Sequence, residues 1–117
     1  MSVLPDGLPG FTVENQKGEV IGSLAVYDDG VLSLSLFDSD SKLRSIFALD
    51  SDGSPQIALY NGDEKTRIKV SVSDVGEANL ELFDAKEKKR ANLEVLADGP
   101  ARMNILDSAG NRVGSLP

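Results

Sequence analysis

Residues 44–65 read RSIFALDSDGSPQIALYNGDEK and contain two short segments in which large apolar residues alternate with smaller or polar ones. The segments are residues 47–49 (FAL) and 57–59 (IAL). A period of two places both large residues of each segment on one face of a β-strand. The intervening residues 50–53 (DSDG) predict a tight turn, because glycine adopts positive φ and aspartate side chains bond to the turn backbone. The stretch therefore predicts a β-hairpin.

The same pattern recurs every 23 residues along the whole chain, without a gap. Glycines mark the period at Gly7, Gly30, Gly53, Gly76 and Gly99. Apolar columns with the same period are Phe11, Leu34, Ile57, Leu80 and Met103; Val13, Leu36, Leu59, Leu82 and Ile105; Leu24, Phe47, Val70, Leu93 and Leu116; and Val3, Val26, Leu49, Val72 and Val95. Such regularity indicates an internal repeat. The chain is therefore interpreted as five copies of one hairpin unit.

A second kind of turn, opened by Asn or Asp and closed by a cation, follows the second strand of the unit, as in residues 38–42 and 61–65. Residues 83–97 (FDAKEKKRANLEVLA) compete with the repeat interpretation, because in isolation their good helix formers would favour a helix. Leu93 and Val95 nevertheless fall in the apolar columns. The repeat therefore assigns a strand there.

The predicted fold is all-β: one domain over residues 1–117, built as an antiparallel meander of about ten short strands with one apolar face. No segment remains to form a helix that would cover this face. An open sheet of that size would be about 50 Å long, and so large an exposed apolar strip exceeds what soluble monomers tolerate. Three architectures are open: a meander whose apolar faces pack between subunits, a ten-stranded barrel, and a two-sheet solenoid. The tight Asp-Gly turns favour the first two.

The residues expected to mediate self-association all belong to the apolar columns. They are Leu34, Leu36, Phe47, Leu49, Ile57, Leu59, Val70, Val72, Leu80, Leu82, Leu93 and Val95.

The two ends of the chain fall inside the same strand type. Met1 and Val3 match its second half, whereas Val113 and Leu116 match its first half. These half-strands are expected to complement each other, either within one chain, which closes a barrel, or between successive chains, which propagates a fibre. The alternative is that both are frayed edge segments.

Composition excludes several kinds of chemistry. The chain has no Cys and no His, so thiolate and histidine catalysis and the metal sites built from these residues are excluded. The net charge of −7 argues against general binding to nucleic acid or to anionic membranes. No run of apolar residues is long enough to span a bilayer. We expect no cofactor and no catalytic residues.

Two further columns are candidates for a ligand surface. They are Arg44, Arg67 and Arg90 and, preceding the Asn/Asp turns, Phe37, Tyr60 and Phe83. An arginine row would suit a carboxylate, sulfate or phosphate, and an aromatic row would suit a stacked sugar. The alternative interpretation, which we favour, is structural: the arginines offset the turn aspartates, and the aromatic rings pack on arginine stems.

The acidic turns, such as residues 50–53, contain fragments of calcium loops, but the complete twelve-residue loop with its closing Glu is absent. Turn chemistry accounts for the same residues. We therefore predict no metal site.

The pattern Arg-x-x-Φ-x-Φ-x-x-Asp-Gly-x-Pro-x-Φ-x-Φ-Φ-Asp/Asn-x-x-x-Lys, where Φ is apolar, is clearest in residues 44–65. It resembles the Asp-Gly β-hairpin repeat of many small uncharacterised bacterial proteins. No activity is established for that group, so the resemblance implies a fold and no functional residue. Residues 73–76 (SDVG) lack the Asp before Gly, and this turn is expected to differ.

The predicted function is therefore non-enzymatic: a structural, self-assembling repeat protein that forms oligomers or fibres, for example in a phage or surface-appendage stalk. The alternative is a binding module, such as a barrel or adhesin that takes a ligand or glycan. The expected partner is the protein itself. No signal peptide is visible in residues 1–10, which indicates cytoplasmic synthesis and leaves release by another route open.

Overall fold

The computed structural model describes residues 2–3, 9–27 and 30–116, and it contains a single antiparallel sheet whose strands follow the order of the sequence. The strands are β1 (Ser2–Val3), β2 (Pro9–Glu14), β3 (Val20–Val26), β4 (Leu32–Phe37), β5 (Leu43–Leu49), β6 (Pro55–Tyr60), β7 (Thr66–Val72), β8 (Ala78–Phe83), β9 (Lys89–Val95), β10 (Ala101–Leu106) and β11 (Arg112–Leu116). The predicted meander is confirmed. The sheet stays open, so the barrel and solenoid alternatives are wrong.

The register between strands aligns the apolar columns into rows that cross the sheet. Leu34 lies opposite both Leu24 and Phe47, and Phe47 lies opposite Ile57 on its other side. We call this the central row; its members are Phe11, Leu24, Leu34, Phe47, Ile57, Val70, Leu80, Leu93 and Met103. Because one column continues directly into the next, all the repeats present the same face.

Residues 83–97, whose composition favours a helix in isolation, contribute to two strands. β8 ends at Phe83 and β9 spans Lys89–Val95. Leu93 is paired with Leu80 on one side and Met103 on the other. The prediction of a strand is confirmed, because cross-strand pairing on both sides outweighs the modest helix propensity of the segment.

Turns at the two ends of the strands share one backbone geometry. The Asp38 N–H donates to the Lys42 carbonyl over 2.9 Å, and the Ser41 N–H donates to the Asp38 carbonyl over 3.0 Å. Asp50, Gly53 and Ser54 repeat these bonds at the other end. This is the three-residue hairpin loop whose last loop residue has positive φ. We call the end with the turns at residues 27–31, 50–54, 73–77 and 96–100 the Gly edge, and the end with those at 15–19, 38–42, 61–65, 84–88 and 107–111 the Asx edge.

Glycine occupies the positive-φ position in each described turn of the Gly edge, whereas Gly7 lies outside the described residues. The turn at residues 73–77 has the same two bonds, from Ser73 N to the Glu77 carbonyl and from Gly76 N to the Ser73 carbonyl, both 2.9 Å. The expectation that it differs is wrong, because Gly76, at φ 85°, supplies the backbone conformation that the loop requires. The missing Asp is not needed.

At the Asx edge the positive-φ position is not reserved for glycine. Ser41, Glu64 and Glu87 have φ of 61°, 60° and 61°. A non-glycine residue costs about 1–2 kcal/mol in this conformation. The turn tolerates it because the opening Asn or Asp side chain adds hydrogen bonds to the turn backbone.

The sheet is a single layer without a conventional core. Among the described residues, Ala25 and Ala48 are the only buried apolar ones. The radius of gyration is 17.0 Å, whereas a compact chain of this length is expected to have about 13 Å. No helix that could cross a membrane is found in the described part of the chain. The folded chain therefore leaves its apolar face uncovered.

Candidate assembly surface

The apolar face consists of the central row and one flanking row on each side of it. The row towards the Asx edge contains Val13, Gly22, Leu36, Ser45, Leu59, Ile68, Leu82, Ala91, Ile105 and Gly114. The row towards the Gly edge contains Pro9, Val26, Leu32, Leu49, Pro55, Val72, Ala78, Val95 and Ala101. None of these residues carries a charge.

Large side chains on this face are far from buried. Phe47 is 54% exposed, Leu34 is 41% exposed and Leu93 is 41% exposed. Shallow depressions between them are lined by residues such as Leu24, Leu34 and Phe47. The structure places all twelve predicted assembly residues on this one face.

Large and small residues alternate across the two flanking rows. On the odd strands β3, β5 and β9, the residue towards the Asx edge is small and the one towards the Gly edge is large. On the even strands β6, β8 and β10 the order is reversed. The pairs, Asx-side residue first, are Gly22 and Val26, Ser45 and Leu49, Ala91 and Val95 on the odd strands, and Leu59 and Pro55, Leu82 and Ala78, Ile105 and Ala101 on the even strands. We call this alternation of large and small residues the checkerboard. Strands β4 and β7 depart from it, because Leu32 and Ile68 are large where the alternation predicts a small residue.

The opposite face is polar, and ion pairs join several of its charged side chains within the sheet. Ala25, Ser33 and Ala48 are buried among their neighbours. Further along the sheet, Lys89 lies 3.6 Å from Glu81. In the same region Arg102 lies 3.9 Å from Glu94. Among the described strands, the exposed large apolar side chains are thus concentrated on the apolar face.

The described turns of the Gly edge are acidic. They carry Asp50, Asp52, Asp74, Glu77 and Asp98 and contain no Lys or Arg. The Asp52 side chain accepts from the Ser54 N–H over 2.9 Å, and this bond lowers the pKa of the Asp52 carboxyl.

The turns of the Asx edge hold charges of both signs. The turn cations are Lys17, Lys42, Lys65, Lys86 and Lys88, and the turn acids are Glu19, Asp38, Asp40, Asp63, Glu64, Asp84, Glu87 and Asp107. The adjoining strands add Arg44, Arg67 and Arg90. Neighbouring turns are linked by ion pairs, with Lys65 3.8 Å from Glu87 and Lys42 4.0 Å from Glu64. The described turns of the Gly edge therefore carry only acids, whereas the turns of the Asx edge carry charges of both signs. This separation can be read from the sequence only after each turn has been assigned to an edge.

Each arginine of the predicted ligand surface binds the backbone of the next strand. The Nε–H groups of Arg44, Arg67 and Arg90 donate to the carbonyls of Tyr60, Phe83 and Leu106 over 3.0, 2.8 and 2.8 Å. Arg44 is the extra residue of a β-bulge, since Leu36 pairs with Ser45 and Phe37 with Leu43. These bonds were not predicted, because they require the register between adjacent strands.

The structure brings the arginine and aromatic columns together on the polar face, near the Asx edge. Arg44 lies 3.4 Å from Asp38 as well as bonding to Tyr60. Partial burial raises the pKa of Tyr60, and the Glu87 carboxylate adds to this effect. Ile21 occupies the arginine position opposite Phe37. These contacts support the structural interpretation of the arginine column, whereas the packing of the aromatic rings on arginine stems stays a prediction.

The residues that open the Asx-edge turns accept two backbone hydrogen bonds each. Asp84 Oδ1 accepts from the N–H groups of Lys86 and Lys88 over 2.9 and 3.1 Å, and Asn61 makes the equivalent bonds over 3.0 and 3.1 Å. The bond from Lys88 is the main reason that the pKa of Asp84 lies below its ordinary value, with the bond from Lys86 and Arg90 contributing.

Asp84→Asn is expected to reduce the loss of stability in acid. Because the folded-state pKa of Asp84 is below the ordinary value of 3.8, its contribution is present above the unfolded pKa and disappears as the pH falls through the folded pKa. Asn keeps both hydrogen bonds, as Asn61 does, and does not titrate. The measurement is the free energy of unfolding from about pH 5 to about pH 2.

The control for this experiment is Asp63→Asn, which removes a carboxylate from the same edge without changing a turn-opening residue. The control should follow the wild type more closely than the Asp84 variant does. Equal acid sensitivity of the wild type and Asp84→Asn would show that the turn carboxylate does not contribute.

The predicted terminal half-strands lie at opposite ends of the sheet. Val3 pairs with Pro9 in β1, and Val113 and Leu116 belong to β11, whereas Met1 lies outside the described residues. The halves do not meet within one chain, because the sheet is open. Complementation between chains stays a prediction. Among the described residues, no group of three or more acidic side chains is placed to hold a metal.

These features define a repeat protein built on one open antiparallel sheet, with an uncovered apolar face and two edges of different charge. No family model matches the chain, and no curated protein matches its sequence.

Proposed function

We propose that the protein is a structural, non-enzymatic self-assembly module in which the apolar face of one copy packs on the apolar face of a second copy. The observation that carries this proposal is the uncharged, roughly half-exposed apolar face, which extends across the sheet from β2 to β10. A sheet stabilises itself by packing this face against another layer, and the described chain offers no second layer.

The area of the surface supports a partner as large as the chain itself. The accessible surface is 7659 Å², whereas a compact monomer of this mass has roughly 6,100 Å². The excess is about 1,500 Å² per chain, and stable interfaces bury about 800 Å² or more on each partner. Face-to-face pairing would hide an area typical of an obligate dimer.

The shape and chemistry of the face support a second copy as the partner. The single-layer sheet has principal extents of 48 × 31 × 20 Å, and a second copy offers an apolar face of the same outline. The face carries no charged residue that would select a charged ligand. Several charged side chains of the Asx edge are engaged in turn and strand bonds, which supports a structural rather than a catalytic role; they are Arg44, Arg67, Asp84, Lys65 and Glu87.

The test is the mass of the native protein in solution, measured by sedimentation equilibrium over a wide range of concentration. We expect at least twice the chain mass of 12.4 kDa. A folded species of 12.4 kDa at the highest concentration would contradict the proposal.

A further inference from the structure

We infer that two copies pair with their strand ends exchanged, so that the acidic Gly edge of each copy lies over the Asx edge of the other. This inference rests on the proposed face-to-face pairing and specifies its geometry. It follows from two observations, the separation of charge between the edges and the checkerboard of large and small residues.

Symmetry leaves two simple ways to place one apolar face on another. The two-fold axis lies in the plane between the sheets, and it runs either along the strands or across them. An axis along the strands sets each edge over the same edge of the second copy. An axis across the strands sets each strand over its own counterpart, antiparallel, and exchanges the edges.

Charge favours the axis across the strands. With the axis along the strands, Asp50, Asp52, Asp74, Glu77 and Asp98 of one copy would face the same acids of the other. Packed sheets are only about 10 Å apart, a distance at which like charges still repel at moderate ionic strength. With the axis across the strands, the same acids face turns that contain Lys17, Lys42, Lys65, Lys86 and Lys88 beside their own acids, so that each acidic edge meets cations instead of a second edge without any.

The checkerboard agrees with the same axis. Exchanging the ends of a strand sets its Asx-side residue over the Gly-side residue of its counterpart. Ser45 then faces Leu49 on β5, Leu82 faces Ala78 on β8, and a large side chain meets a small one. The central row lies near the axis and faces its own counterpart, with Phe47 close to the middle.

No axis along the strands satisfies both conditions. If it sets odd strands over odd strands, the large Gly-side residues of one copy, such as Leu49 and Val95, meet the large Gly-side residues of the other copy. If it sets odd strands over even strands, each large residue meets a small one, but the acidic edges of the two copies still coincide. On the six strands that follow the checkerboard, only the axis across the strands satisfies charge and volume together.

The exchanged geometry brings two particular turns together. Since β5 lies antiparallel over its counterpart, the turn at residues 50–54 of one copy lies over the turn at residues 38–42 of the other. Both turns have an exposed serine, Ser51 and Ser39. Because the chain has no Cys, each serine can be replaced to give a single thiol.

A Ser39→Cys protein is mixed with a Ser51→Cys protein that carries a different mass label, and the subunits are allowed to exchange. A bis-maleimide is then added, with a spacer of ~10 Å to match the separation of packed sheets. We expect the mixed product to exceed each self-linked product roughly tenfold, because the opposite ends of a strand are ~20 Å apart. Mass spectrometry identifies the products, and sedimentation of both variants confirms that they still pair.

A self-linked Ser51→Cys product as the main species would mean that the Gly edges coincide, and this overturns the inference. A paired protein without excess mixed product also overturns it, while the proposed self-association stands. A folded monomer overturns both. The three outcomes are distinguished by mass before and after cross-linking.

Discussion

Phe47→Lys is expected to convert the paired protein into a monomer. Phe47 is in the central row and is 54% exposed in a single chain, so its substitution places little strain on the chain itself. In the paired protein, each copy would place a lysine ammonium without a counter-ion between the two apolar layers. Losing a buried Phe costs about 1.5–3 kcal/mol, and an unpaired buried charge costs more. The dissociation constant should rise by at least about a thousandfold.

The matched control is Ile46→Lys. Ile46 is the preceding residue of β5, and it points to the polar face between Ser35 and Ala58. The substitution adds the same charge to the same strand and should leave the mass in solution unchanged. If both variants dissociate equally, or if neither does, the apolar face is not the interface.

Gly53→Ala is expected to destabilise the fold by about 1–2 kcal/mol, the cost of a side chain in left-handed backbone. Gly53 has φ of 87°, and an added Cβ would meet no atom within 4 Å. The cost therefore comes from the backbone conformation alone. The free energy of unfolding by denaturant, at one fixed protein concentration, measures it.

Gly62→Ala serves as the control for this prediction. Gly62 lies in a turn of the other edge, has no positive φ, and also has nothing within 4 Å of an added Cβ. Here Ala should be neutral or should stabilise by about 0.4–1 kcal/mol, because it restricts the unfolded chain. Equal stability of the two variants would contradict the role of positive φ at Gly53.

Much of the fold was predictable because its determinants are local. The alternation in residues 47–49 and 57–59 specifies strand faces, and glycine specifies the Gly-edge turns. The repeat then corrected the one misleading segment, because Leu93 occupies the column of Phe47. Periodicity along the chain carried more information here than the propensity of any single window.

The features that were missed depend on neighbours distant in sequence. The bond from Arg67 Nε to the Phe83 carbonyl joins residues that become adjacent only when β7 pairs with β8. The positive φ of Glu64 has no signature in its own residue type. The charge difference between the edges required the assignment of each turn to one end of the strands.

The sequence by itself determined the 23-residue period, the strands, and the residues that share the apolar face. These depend on side-chain alternation and turn chemistry within a few residues, which act the same way in each unit. Whether the sheet is open or closed was decided only by the tertiary structure, because barrels and open meanders have the same alternation. Closure depends instead on twist and stagger summed over all the strand pairs. In this protein that sum leaves β1 and β11 at opposite ends of an open sheet.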